Sequence, residues 1–153
     1  MAENLALHRE RPDDPELIAL LTEREAYLQR VYPERVATRH AVEVPADELV
    51  FYGLRRDAQL VGCGCLIRHP KFLELKKVFI TEAMRKNGLG QYLIKAIETE
   101  ARAFGYTLLK LEVGIRQEAA LTLYRSLGYK ESSPFSPYRP DPLSYFLEKL
   151  LSA

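Results

Sequence analysis

The sequence has 153 residues, 47% of them hydrophobic: enough for one substantial core, so a single domain spanning 1–153 is expected. Basic and acidic side chains number 22 and 21, leaving a net charge of +1 and no global field that would advertise a nucleic-acid partner. No apolar run is long enough to span a bilayer, and the start, Met1-Ala2-Glu3-Asn4 and then the charged stretch Leu7 to Arg11, lacks a leader-like apolar core; the expectation is no membrane association and a cytoplasmic location.

Asn4 to His8 alternates apolar and polar residues, which predicts a short first strand before the turn-forming Arg11-Pro12-Asp13-Asp14-Pro15. A helix follows, with Asp13 or Asp14 as its N-cap, Pro15 at an early position, and Leu17, Ile18, Leu20, Leu21 and Leu28 as its apolar stripe, ending before Pro33. Arg35 to Asp47 is polar and irregular and reads as a loop. Glu48 to Arg56 and Gln59 to Arg68 are two β-rich runs joined by Asp57-Ala58, a hairpin signal, and Phe72 to Thr81 is a third run, so three consecutive antiparallel strands are predicted.

Cys63 and Cys65 stand two apart and so share a strand face; with His69 as a neighbour but no second ligand cluster, they read as buried thiols and no metal site is expected. Between Arg68 and Lys86 six basic residues face only Glu74 and Glu82, a bias that suits an anionic ligand or, equally, a solvated basic face.

From Gly88 the period becomes helical, with Leu89, Tyr92, Leu93, Ala96, Ile97, Ala101 and Phe104 on one side and Lys95, Glu98, Thr99 and Arg102 on the other. Gly105 closes that helix. Thr107 to Val113 returns to strand character, Gln117 to Leu127 forms a further helix closed by Gly128, and Tyr129 to Ser132 and Leu143 to Leu150 are final strands divided by a proline-rich segment. The class is mixed α/β on a largely antiparallel sheet.

Gly88 and Gly90 lie between a strand and a strongly amphipathic helix, where first-turn amides lack intrahelical partners and point outward with the positive end of the dipole. That geometry suits a phosphate, and glycine keeps side chains away from those amides. Gln91 follows Gly90 where a P-loop would require lysine, and neither Gly88-Leu89-Gly90 nor Gly62-Cys63-Gly64 is completed by the third glycine of a dinucleotide fingerprint. The remaining choices are a different phosphate ligand or a structural glycine pair.

Arg85-x-x-Gly88-x-Gly90 after a strand, then a long helix, a strand ending at Val113, and Gln117-x-x-Ala120-x-x-Leu123-Tyr124-x-x-x-Gly128-Tyr129 together resemble the GCN5-related N-acetyltransferase (GNAT) family, closely over residues 72 to 130. Gln117 replaces the usual asparagine, and the tail Pro134-Phe135-Ser136-Pro137-Tyr138 is similar to small bacterial members. The resemblance implies the GNAT acyl-CoA N-acyltransferase fold and acetyl-CoA as co-substrate, without a metal. It implies transfer of the acetyl group to a primary amine of a small molecule or amino acid by direct attack. The alternatives are acetylation of a protein amine, a non-catalytic acyl-CoA-binding module, and a protein-interaction domain whose basic segment meets an acidic partner. A homodimer is compatible with the resemblance.

By the same resemblance the pyrophosphate sits on Arg85, Lys86, Asn87, Gly88, Leu89, Gly90 and Gln91, and the pantetheine arm runs along Val78, Phe79 and Ile80, with the Val78 amide holding the oxyanion. Gln117 and Tyr124 complete the cofactor contacts. Glu74 matches the strand glutamate that serves as general base in the histone-acetylating branch; it could equally be a surface charge beside Lys76. Tyr124 matches the acid that protonates the departing thiolate; the other reading is a core tyrosine. Tyr27, Arg30, Tyr32, Arg39, His40, Tyr138 and Arg139 are the polar and aromatic candidates for the acceptor side, where an arginine could pair with a carboxylate.

Overall fold

A computed structural model describes residues 4–34 and 49–152. The loop expected over 35–47, with Arg39 and His40, lies outside the described residues. The strands are β1 (Leu5–Glu10), β2 (Leu49–Arg56), β3 (Gln59–Arg68), β4 (Leu73–Ile80), β5 (Leu108–Gly114), β6 (Lys130–Glu131) and β7 (Ser144–Leu150), and the helices α1 (Pro15–Val31), α2 (Leu89–Ala103) and α3 (Glu118–Ser126). They build one sheet in the order β1-β2-β3-β4-β5-β7-β6, in which only β4 and β5 run parallel among the described strands.

The Asp57-Ala58 hairpin forms as predicted, and both residues take positive φ (50° and 72°), the conformation of a turn whose twist matches the flanking strands. Of the two aspartates offered for α1, Asp14 is the N-cap, its carboxylate accepting from Leu17 N at 3.3 Å. Leu17 and Leu20 are buried against Leu60, Cys63 and Phe79 on one face of the sheet, whereas Ile18 is half exposed, so the α1 stripe is narrower than the leucine count suggests.

The opposite face carries α2 and α3 over a larger core that includes Leu54, Leu66, Leu73, Leu75, Leu93, Ile94, Ile97 and Leu111. A Cβ built on Gly64 would stand 2.6 Å from Ile97 Cδ1, so the missing side chain on β3 lets α2 settle directly on the sheet. Two residues of α2 depart from the predicted faces. Tyr92 is exposed and donates its hydroxyl to Leu5 O, and Glu98, expected on the solvent side, is buried. Its carboxylate accepts from Tyr129 Oη at 2.7 Å and Lys149 Nζ at 3.0 Å, the pairing that makes a buried charge tolerable.

One irregularity decides the geometry of the site. Opposite Cys63 and Cys65 of β3 stand Phe79 and Lys76 of β4, so that Gly64 alone on β3 faces both Lys77 and Val78 on β4, with Lys77 at φ 59°. This is a β-bulge, and it resets the alternation of faces. Leu73 and Leu75 before it, and Val78 and Ile80 after it, all face the α2–α3 core, while Phe79 turns to the α1 side.

Candidate active site

The parallel strands β4 and β5 pair only at Leu73↔Leu109 and Glu74↔Lys110 and then diverge, leaving an opening between Leu75–Ile80 and Leu111–Gly114. Thr81 N donates to Val61 O on β3, and strand alternation therefore aims the N–H groups of Ile80 and Val78 the other way, into this opening. An extended polyamide arm entering there would find strand-edge donors without a strand partner, which is the fit a pantetheine chain requires. Val78 and Ile80 thus line the opening, while Phe79 points its ring away, to the α1 face.

At the far end of β4 the chain turns into α2. Lys86 and Gly88 both adopt left-handed backbone (φ 68° and 74°), and such alternation curls successive amides around a concave seat for an anion. The free amides of Leu89, Gly90 and Gln91 open the helix just beyond, with Tyr92 N making the first return to Gly88 O. The two glycines serve different ends. A Cβ on Gly88 would meet nothing within 4 Å, so its need is conformational, whereas a Cβ on Gly90 would lie 3.0 Å from Leu123 Cδ2 of α3. Gly90 is accordingly explained by the close packing of α2 on α3.

Side chains of the turn are partly committed elsewhere. Arg85 donates its Nε to Ile80 O at 3.1 Å and lays its guanidinium over Tyr27 and Phe79, with 4.6 and 4.9 Å to the centroids, pinning the turn to β4 and α1. Asn87 caps Met84 O, and Lys86 is exposed. Gln117, in the place of the family's asparagine, accepts from Gly114 N at 3.1 Å and so closes the β5–α3 corner.

Tyr124 on α3 is 7% exposed, stacked edge-on to Tyr129 at 5.4 Å, and its hydroxyl has no hydrogen-bond partner among the described residues. Desolvation raises its phenol above the usual value, against a smaller opposing effect of Arg24, so it is a proton-bearing group at neutral pH. Glu74 lies on the other side of the sheet, 2% exposed, with His69 Nε2 at 3.0 Å from Oε1 and the Tyr138 hydroxyl donating to Oε2 at 2.6 Å. Lys76 Nζ donates to that same hydroxyl oxygen at 2.7 Å. The phenol lies in the α2–α3 core on one side of the sheet and the carboxylate on the other.

Of the acceptor-side candidates, Tyr138 is brought to Glu74, and Tyr27 to Arg85. Tyr32 is buried, its hydroxyl accepting from Arg116 N, and Arg30 and Arg139 are exposed. His69 and Lys76 were not singled out for the site by the sequence, and no local periodicity marks them: they acquire meaning only through Tyr138, 64 residues from Glu74 in the chain. Cys63 and Cys65 are free and buried, with desolvation pushing both thiols up to about 12. Among the described residues no cluster of His, Cys, Asp and Glu could hold a metal, and no helix is long and apolar enough to cross a membrane.

This chain is similar to known acyltransferases. An "IAA acetyltransferase" of Azospirillum brasilense is 35% identical over 153 residues, covering 97% of this chain and 99% of its own length. A crystal structure of a putative acyl-CoA N-acyltransferase from Klebsiella pneumoniae superimposes with a TM-score of 0.84 at 34% identity, covering 97% of this chain and 99% of that one. The fold is also that of an Elizabethkingia anophelis GNAT acetyltransferase solved with acetyl-CoA bound (TM-score 0.70, 18% identity, 97% and 99% covered). The profile of the Acetyltransferase (GNAT) family matches residues 10–129. The chain therefore belongs to the GNAT family and is an acetyl-CoA-dependent N-acetyltransferase.

Proposed function

We propose that this chain, acting as a single domain, moves the acetyl group of acetyl-CoA to a primary amine of a small molecule or amino acid by direct attack within a ternary complex. The observation that carries the reading is the β4–β5 opening after Glu74 and Lys110, with a buried carboxylate on one face and a buried, protonated phenol on the other. Acetyl-CoA supplies an activated thioester carbonyl and a thiolate leaving group. The turn from Arg85 to Gln91 holds its pyrophosphate on backbone amides, and the Val78 and Ile80 amides orient its pantetheine arm. The Val78 N–H also faces the place where charge develops on the carbonyl oxygen, and a fixed backbone donor there lowers the barrier.

Glu74 takes up the proton that an ammonium group must lose before it can attack, since an amine with an ordinary value near ~10.4 is almost wholly protonated at neutral pH. Tyr124 holds the proton that the departing sulfur needs. Its raised value keeps it in the phenol form, so that it donates a hydrogen bond to the sulfur throughout. The two buried free thiols fit the reducing cytoplasm.

The test is an acceptor screen in which free CoA thiol is detected while amino acids, polyamines, aminoglycosides and peptides with free termini are offered in turn. Release with a small amine supports the reading, release only with peptides moves the acceptor class to protein amines, and acetyl-CoA binding without release for any amine sinks the transfer step.

A further inference from the structure

We infer that Tyr138 is a catalytic residue that relays the acceptor's proton to Glu74, with His69 as the positioning residue that keeps the carboxylate ready. This rests on the transfer reading above and names a group that stands between the acceptor and its base.

Glu74 cannot meet an acceptor directly in the arrangement observed. It is 2% exposed, and both carboxylate oxygens are engaged, Oε1 by His69 Nε2 at 3.0 Å and Oε2 by the Tyr138 hydroxyl at 2.6 Å. A base so enclosed acts through a neighbour; His69 and Tyr138 are both half-buried, and Tyr138 is the one that meets an ammonium. The direction of its hydroxyl is fixed by elimination. Lys76 Nζ lies 2.7 Å from the Tyr138 oxygen, and an ammonium only donates, so the Tyr138 hydrogen must go to Glu74. The result is a primary ammonium, a phenol and a carboxylate in one hydrogen-bonded line. Lys76 occupies the end of it and shows that the phenol oxygen accepts from an ammonium.

In the proposed step the acceptor ammonium donates to the Tyr138 oxygen beside Lys76 or in its place. Its N–H bond breaks with the electron pair left on nitrogen, the proton passes to Tyr138, and the Tyr138 proton passes to Glu74 Oε2. Tyr138 ends unchanged, Glu74 ends neutral, and the amine is free to attack. Of the two protons the ammonium loses in the whole reaction, this is one; the other balances the CoA thiol. The charge on Lys76 assists, because a nearby cation disfavours the protonated form of the amine. His69 touches no reacting atom. With its hydrogen on Nε2 it donates to Oε1, fixing the carboxylate in place and leaving Oε2 to receive.

The experiment uses the full chain, acetyl-CoA, and whichever primary amine of the acceptor screen shows the highest wild-type turnover, with acetyl-CoA affinity measured by calorimetry in parallel. Tyr138→Phe keeps the ring packed on Phe135 and Phe146, at centroid distances of 5.1 and 5.8 Å, and removes only the relay oxygen. Its kcat at pH 7 is expected to fall about 10²-fold, as for loss of a general base, with unchanged acetyl-CoA affinity. The deficit should shrink steadily as pH rises towards the amine's own pKa, where no relay is needed. His69→Leu, which frees the carboxylate to turn away from Tyr138, is expected to lower kcat at unchanged acetyl-CoA affinity, while His69→Gln, which keeps a donor towards Oε1, restores it. A Tyr138→Phe deficit equal at every pH, or no deficit, would overturn the relay while leaving acetyl transfer intact. Absence of wild-type transfer to every amine would overturn the transfer reading and the relay together.

Discussion

Tyr124 shows what burial does to a single side chain at this site. Its hydroxyl is desolvated, unpartnered among the described residues, and held beside the opening, so it remains a phenol where an exposed tyrosine would begin to ionise. Tyr124→Phe is expected to lower turnover by about 10²-fold with little change in acetyl-CoA affinity, in the range for loss of a general acid, measured by steady-state kinetics beside calorimetry. The glycines separate just as sharply. Gly88→Ala forces a Cβ onto φ 74° and should cost about 1 kcal/mol of stability as well as weaken acetyl-CoA binding. Gly90→Ala meets only the movable end of Leu123 and should leave both within about 0.5 kcal/mol, as thermal melts with and without acetyl-CoA would show. These residues were legible in the sequence because a short motif carries each of them. Tyr138 was visible only as one aromatic among seven candidates, and His69 only as a companion of the cysteines, because their roles come from contacts across the sheet that no spacing encodes.

At the level of elements, the bulge in β4 converts an ordinary strand into a binding edge. If these eight residues ran as a regular strand, alternation would carry Val78 and Ile80 to the α1 side and Phe79 into the α2–α3 core. Lys77→Val, which puts a β-branched side chain at φ 59°, is expected to cost about 1–2 kcal/mol of stability, whereas Lys77→Gly, which accepts that φ, should melt no lower than the wild type; circular dichroism melts distinguish them. The bulge was illegible beforehand, since Leu73-Glu74-Leu75-Lys76-Lys77-Val78-Phe79-Ile80 alternates well enough to look like a regular strand. Most other elements were readable: the hairpin, both glycine-closed helices and the final strands lie within a residue or two of their predicted limits. The exceptions share a cause. Ile18, Tyr92 and Glu98 were assigned by polarity alone, and what settles their exposure is the partner each face meets: Ile18 stays half exposed among the described residues, and Glu98 has Tyr129 and Lys149.

For the whole molecule, the sheet is the common wall of two cores, and β3 is enclosed on both sides. Val61 to Ile67 of β3 are all buried, which puts Cys63 and Cys65 in the interior and pushes both thiols up to about 12, as desolvation also does for Tyr52 on β2. A thiol in the unfolded chain ionises near pH ~8.5, so above that value unfolding releases protons that the folded state retains. The unfolded state then binds fewer protons than the native state, and stability falls as pH rises. The contribution of the two thiols is intact below pH ~8.5 and is lost progressively up to about 12, at a slope approaching ~1.4 kcal/mol per pH unit for each. Urea unfolding between pH 8 and 11 should show this decline in the wild type. Cys63→Ala with Cys65→Ala should flatten it, leaving the slope from Tyr52 and other phenols, even though the small cavities lower stability at every pH. The measured quantity is the slope, which the cavities do not change, so an equally steep decline in the double variant would mean that the buried thiols do not couple the fold to pH.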